Sequence, residues 1–518
     1  MICSFTQNHT YSNSGNLSTM KIKLTFLIAF GFLLLIRSYA QNAELRIELD
    51  LKNDYKDEKV YPMGENGFLL QSFEIKANGG LVGCRNDFYS TNFKLIKSVT
   101  VPVKERTLYT DSFDENGVNY TMIRNRRDYF AIVTSDANNQ ECIKTEGKLA
   151  DLGVLSEMKV SGGKAVFKCT GKRGSSLLIV ELKSGKSKYV PVKVEKFTSK
   201  ALSVLDFQVF DEEILVFINA ITDKIKEDLY IAILDLEGRQ KEVFNVTKTV
   251  KEKLITAAAT KIQNRYVLTG TYSKTRSDKS QGVFIGEIEN KKLNFMKFYN
   301  FLELKNFTGY LSQKKQDRIE RKKNSKAEKG EELLMNYSIV THPLIECADG
   351  YIFLGEAFYP TYTTYTTQMA TGTGGVSTQV HTVFDGYQYT HATLAKFDRS
   401  GNLIWDNTFA MWPIYKPFRI KKFISFRQGQ ETAELAFSER NIIWYKVFNQ
   451  NDGWIIRDNS KEIIETDLEG DKVRRSFSNI DYWYDNNFIA YGIQSISNKE
   501  VKRSRKVFFV NNISFSNF

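Results

Sequence analysis

The side chains able to do acid, base, nucleophilic or metal chemistry are few and scattered. Beyond residue 40 histidine occurs at His342, His381 and His391 alone. His342 precedes Pro343 without a ligand-spaced neighbour, so it reads as a structural or exposed residue. The densest candidate surface is FYPTYTTYTTQMATGTGGVSTQVHTVFDGYQYTH, 358–391, with five Tyr, two Phe, many Thr and one acid, Asp385. Such aromatic and hydroxyl groups can bind glycans or peptides by stacking and hydrogen bonding. Asp385-Gly386 predicts a two-residue hairpin turn, pairing Phe384 with Tyr387, Thr382 with Tyr389 and Val380 with His391. Phe384, Tyr387, Tyr389 and His391 would then share one face, with His381 on the other, which argues against a two-His metal site. Tyr362 and Tyr365 stand three apart, so an extended strand points them to opposite faces. These six residues are the expected ligand contacts; the competing reading packs the aromatic face on the body of the protein or on a partner subunit.

Other motifs are missing. There is no His-Glu-x-x-His, Gly-x-Ser-x-Gly, nucleotide-binding glycine pattern or Walker loop, and Gly185-Lys186-Ser187 has Val180 where a phosphate loop needs glycine. No catalytic residue, metal or cofactor is expected. Asp481-Tyr482-Trp483-Tyr484-Asp485 reads as a packing strip at the edge of a sheet. A second unusual segment, 311–336, carries eight Lys or Arg and five acids, with Asp317 and Arg321 four apart and Gly330 as an interruption. It reads as an exposed helix or flexible loop, either a docking element for an acidic partner or a solvated face.

The N-terminal region dictates where such a protein works. After Met20 come Lys21, Lys23, the thirteen-residue apolar run Leu24 to Ile36, and Arg37-Ser38-Tyr39-Ala40. That is the pattern of a bacterial secretory signal peptide, 20–40, cleaved between Ala40 and Gln41, with 1–19 a mis-assigned start. The apolar run is too short to span a membrane, so no transmembrane segment is expected after cleavage. Removing Lys21, Lys23 and Arg37 takes the formal charge from +12 to +9. Spread over 41–518, this excess favours weak contact with anionic envelope surfaces and no nucleic-acid role. Cys84, Cys142, Cys169 and Cys347 remain. Disulfides among them would be permitted by export, but each lies in or beside a strand-like run, where buried free thiols acting as small hydrophobes are the favoured reading.

Strand-like runs position these residues. GFLLQSFEI from Gly67, DYFAIVTSD from Asp128, KAVFKCTG from Lys164, EILVFINAI from Glu213, RYVLTGTYS from Arg265, YIFLGEAFY from Tyr351 and NFIAYGIQS from Asn487 are apolar or alternating. Several continue into hairpins whose turns, taken at Gly185, Gly238, Lys291, Gly401 and Gly470, are spaced by 53, 53, 110 and 69 residues. Subtracting 311–336 and 360–390 from the long interval leaves another 53. A unit of this size with four short strands is that of a propeller blade. Blades must pack side by side to bury both of their faces. The run AELRIELDL, Ala43 to Leu51, alternates like a strand and could pair with the last blade to close the ring.

The stretch Asp398-Arg399-Ser400-Gly401-Asn402-Leu403-Ile404-Trp405 resembles the Asp-x-x-Gly-Asn-x-x-Trp hairpin of secreted bacterial β-propeller repeats, with partial copies at 235–238 and 467–470. The resemblance implies architecture only. Its Asp–Gly spacing departs by one residue from the sialidase Asp-box, so no catalytic residue is carried over.

The expected protein is therefore all-β, one propeller of about seven blades, or eight, over 41–518, exported to the periplasm, outer-membrane surface or exterior. Its expected role is that of a non-catalytic binding or scaffold module for a glycan or envelope protein. One rival is a glycan hydrolase with acids at the axis, for which turn acids such as Asp211, Glu212 and Glu213 would have to converge. The other is an envelope assembly subunit docking through 311–336.

Overall fold

The computed structural model describes residues 45–514 except 52–54, 76–80, 105–106, 151–152, 172–173, 224–225, 248–249, 276, 371–375, 463–469 and 500–502. The leader, the cleavage site and the start at 1–19 lie outside the described residues.

Among the described residues the strands form eight antiparallel sheets, seven of four strands and one of five. In chain order the blades begin with the innermost strands Tyr55–Pro62, Leu108–Glu115, Val154–Ser161, Leu202–Val209, Lys253–Ile262, Ser338–Thr341, Ser425–Gln428 and Asp471–Tyr484. The middle strands explain the apolar runs. Along Glu213–Asp223, Ile214, Val216 and Ile218 pack towards the third blade, whereas Leu215 and Phe217 pack towards the fifth. A strand buried on both faces reads as continuous hydrophobicity rather than alternation.

A hydrophobic cluster lies between every pair of neighbouring blades, including the eighth and the first, so the ring closes. The N-terminal strand Arg46–Asp50 pairs antiparallel with Arg503–Ser514 as the outer strand of the last blade, as the alternation in AELRIELDL predicts. There Arg46 bonds Asn511 at 2.7 Å, Gln494 at 2.7 Å and Glu48 at 2.6 Å. Arg505 joins Glu48 at 2.9 Å and Asp471 at 2.6 Å.

Of the counts the sequence allowed, about seven or eight, the structure has eight. The blade missed is Ser425–Glu462, whose outer turn is at Gly453, not Gly470. Gly470 instead precedes the innermost strand of the eighth blade, while Gly453 lies 52 residues after Gly401 and restores the period. The Asp398 turn shows why its motif recurs: Asp398 accepts from the amides of Ser400 and Asn402 at 2.8 and 2.7 Å. Trp405 reaches the seventh blade, donating to the Gln450 carbonyl at 2.8 Å. A Cβ on Gly453, which holds φ +72°, would meet the Trp405 ring at 2.7 Å.

Segment 311–336 contains helix α1, Gln313–Ala327, with no buried residue. Arg321 bonds the backbone carbonyl of Asp317 at 3.3 Å instead of its carboxylate. Among the described residues no helix is long and apolar enough to cross a membrane. Among the described residues Cys84, Cys142, Cys169 and Cys347 are free thiols, and burial pushes the Cys84 thiol up to about 12.

Candidate functional site

The sixth blade departs most from the repeat. Its two middle strands, Gly350–Ala370 and Val376–Asp398, outrun their outer partners. Ser338–Thr341 pairs only up to Phe358 and Leu403–Ala410 only up to His391. From there the two strands pair with each other alone, as a ribbon of roughly 40 Å at about 3.4 Å per residue.

The register corrects the sequence reading. Gly386 is not in a turn; it pairs with Thr361, and its φ of +107° serves a bulge in which Asp385 is the extra residue. Phe384 therefore faces Tyr362, Tyr387 faces Pro360, Tyr389 faces Phe358 and His391 faces Ala357. A second bulge at Thr390 sends Tyr389 and His391 to opposite faces. Tyr389 packs on Phe358 and Phe423, and His391 stacks on Tyr310 with ring centroids 3.8 Å apart. Both are fully buried. The shared aromatic face thus reduces to Phe384 and Tyr387, 5.0 Å apart, with Tyr362 against Phe384. Tyr362 and Tyr365 stay in water, 61% and 48% exposed. His381 stacks on Tyr365, and Tyr365 stands eight positions along its strand from Ala357, the partner of His391.

A strap, residues 411–424, joins the ribbon to the ring axis. Pro417 O accepts from Tyr387 N at 2.9 Å, and Lys416 pairs with Asp385 at 2.7 Å. Pro413 O accepts from Gln388 at 2.8 Å. The strap then crosses the axis between cavities of 1010 and 1570 Å³, and Arg419, Lys421 and Lys422 line both. It is fixed at its far end by Glu356, whose buried carboxylate accepts from Phe423 N and Ile424 N at 2.9 Å. His342, read from sequence as a structural or exposed residue, lines both cavities and lies 2.7 Å from Glu356.

The channel walls owe their chemistry to a repeated device. The innermost strands of the second to fifth blades each carry one extra residue, Thr110, Glu157, Leu205 and Ile255. A bulge re-aims its neighbours, and all four residues border the wider cavity. Asp111 and Asp206 follow two of these bulges. Asp111 accepts from Ser112 N and Met158 N at 2.9 and 2.8 Å. Asp206 accepts from Phe207 N at 2.6 Å and lies 3.9 Å from Lys159. Asp114 and Asp481 share the smaller cavity, where Asp481 accepts from Tyr491 at 2.8 Å. Asp114 opens onto channel water yet is ringed by protein; this enclosure first, and then the Asp481 charge, pushes its carboxyl up to about 6. Burial likewise raises Asp481 and lowers Lys421 and Lys422.

The expected turn acids are elsewhere: Glu213 binds Lys261 and Tyr266, both at 2.6 Å, and neither Asp211 nor Glu212 borders these cavities. The strip 481–485 divides. Trp483 is buried and donates to Gly67 O at 2.6 Å, while Asp481, Tyr482 and Trp483 all border the smaller cavity. Among the described residues no cluster of His, Cys, Asp or Glu could hold a metal ion.

No protein-family model matches the chain, and no curated protein matches it. Solved structures similar to it include the β-propeller domain of the Trilobed protease from Pyrococcus furiosus, at 9% identity and TM-score 0.34, covering 79% of this chain and 95% of that one. An ulvan lyase is similar at 10% identity and TM-score 0.35, covering 78% and 93%. The tricorn protease gives 13% and 0.36, covering 82% and 36%.

Proposed function

We propose that this chain is an exported, non-catalytic propeller that serves as a binding or scaffold module in a bacterial envelope, with the ribbon as its contact surface for a glycan or envelope protein. The leader-like segment 20–40 supports export, and the mild basic excess suits anionic surroundings. The ribbon carries the reading. Two strands paired only with each other are marginal alone, and the strap pins only the base. Tyr362, Tyr365, Met369, Val380 and Val383 remain exposed beyond it, the kind of surface that marks an interaction site. A glycan and peptidoglycan array, with capture from envelope extracts, would compare 41–518 with a form lacking 360–390. Binding that disappears with the deletion is the expected result; equal binding by both forms would overturn the assignment.

One observation favours a glycan hydrolase as a second reading. Asp114 and Asp481 face the same cavity, and the carboxyl of Asp114, pushed up to about 6, suits a proton donor. Turnover of reporter oligosaccharides that is abolished by Asp114→Asn would favour this reading, and turnover indifferent to that change would remove it.

A further inference from the structure

The channel holds more charge than the ribbon reading uses, and the balance of satisfied against unsatisfied groups is uneven. The acids of the wider cavity are engaged. Asp111 and Asp206 accept backbone amides, and Glu157 pairs with Lys168 at 3.4 Å. Several bases are engaged as well: Lys159 donates to Gln208 at 2.8 Å, Lys168 to Leu205 O at 2.8 Å and Arg124 to Gly153 O at 2.9 Å. Three cations on the same wall are different. Arg126, on the rim of the second blade, and Arg419 and Lys422, on the strap, have no hydrogen bond or ion pair among the described residues. The one acid in the same condition is Asp114, which is held partly protonated near neutral pH.

All three side chains reach solvent and so stand open to a ligand in the cavity, and the protein around Lys422 still lowers its pKa, with Asp206 and Glu157 only partly offsetting this. The spare charge in this cavity is positive, and an anion is what would satisfy it. The 1570 Å³ cavity has room for a small ligand and its waters, and Tyr109, Phe358, Tyr387 and Phe418 supply apolar faces beside the cations. Phe418 is 69% exposed although it borders the cavity, so a face is left open to a ligand.

We propose that this cavity is a binding site for a small oxyanionic ligand, a uronic-acid sugar or a phosphate, met by Arg419 and Lys422 of the strap and by Arg126 of the second blade. This site takes Tyr387 from the base of the ribbon but nothing from its exposed tip, so removing 360–370 and 376–383, above the strap contacts, tests the two separately.

Calorimetric titration of the chain lacking residues 1–40 with digalacturonate, inorganic phosphate and a neutral digalactoside tests the site. At least one anion should bind, the neutral sugar should not, and affinity should fall steeply with added salt. The double variant Arg419→Gln/Lys422→Gln should weaken binding at least tenfold. Lys314→Gln, on the exposed helix α1, should leave binding unchanged, and Asp114→Asn should tighten it by removing a competing negative charge. Binding of digalacturonate alone identifies a carboxylate ligand, and binding of phosphate alone a phosphate. Failure of both anions to bind, or undiminished binding by a double variant with an unchanged near-ultraviolet spectrum, would overturn the proposal.

Discussion

Nε2 of His342 lies 2.7 Å from Oε1 of Glu356, and that carboxylate has no exposed surface. The same carboxylate accepts the amides of Phe423 and Ile424, so one side chain of the sixth blade fixes the end of the strap that crosses the axis. Glu356→Gln would turn an amide NH₂ towards groups that are already donors. A loss of about 2 to 4 kcal/mol is expected, since a buried charged acceptor is replaced while its donors stay. Urea unfolding should show a lower midpoint at unchanged slope, and an unchanged midpoint would contradict the role given to Glu356.

Ring closure gives a second expectation. Glu48 sits between Arg46 and Arg505, at 2.6 and 2.9 Å, with only 7% of its side chain exposed. Glu48→Ala leaves two guanidinium groups short of a partner at the seam between the N-terminal strand and the last blade. A cost of about 3 kcal/mol is expected, with faster amide exchange concentrated in Arg46–Asp50 and Arg503–Ser514. Exchange that rises uniformly over the ring would count against a local closure.

His391 yields a pH dependence. Its ring is fully buried, Nε2 has no partner, and burial holds its pKa down to about 3. An ordinary histidine titrates near 6.5. Between those values the unfolded chain binds a proton that the fold refuses, so stability is lost as pH drops below about 6.5, by about 1.4 kcal/mol per unit. His391→Phe keeps the ring contact with Tyr310 and removes the proton site. The variant should therefore lose less stability than the parent between pH 7 and pH 5, and parallel pH profiles would refute this.

What the sequence reveals depends on whether burial or convergence decides. Ile214 to Ile218 announce a strand because both faces are covered by neighbouring blades, and the Asp398 to Trp405 turn announces a blade because its capping and packing are local. Ser425–Glu462 was missed because its middle strands, TAELAFSE and IIWYKVFN, interleave polar residues and its turn ends Asn-Asp-Gly-Trp without the leading motif. Asp385-Gly386 misled because a bulge and a turn both use glycine at positive φ, and only the length of the facing strand chooses between them. The axial groups Asp111, Glu157 and Asp206 stand 46 to 49 residues apart, one to a blade. They converge only when the ring closes, which no local pattern records.

Asp114 gives the last expectation. Its carboxyl is pushed up to about 6, first by enclosure and then by the Asp481 charge, from an ordinary value near 3.8. In the window from about 4 to about 6 the fold holds this proton more tightly than the unfolded chain does, so the contribution to stability falls as pH rises through it. At pH 7.5 the charged side chain strains the fold beside Asp481, although channel water screens the pair and keeps the effect small. Asp114→Asn should therefore raise the unfolding midpoint modestly at pH 7.5, and the gain should vanish by pH 4, where the parent is itself neutral at this position. A gain that persists undiminished at pH 4 would mean that the variant acts through packing, and that neither the enclosure of the ionised carboxylate nor the Asp481 charge is its cause.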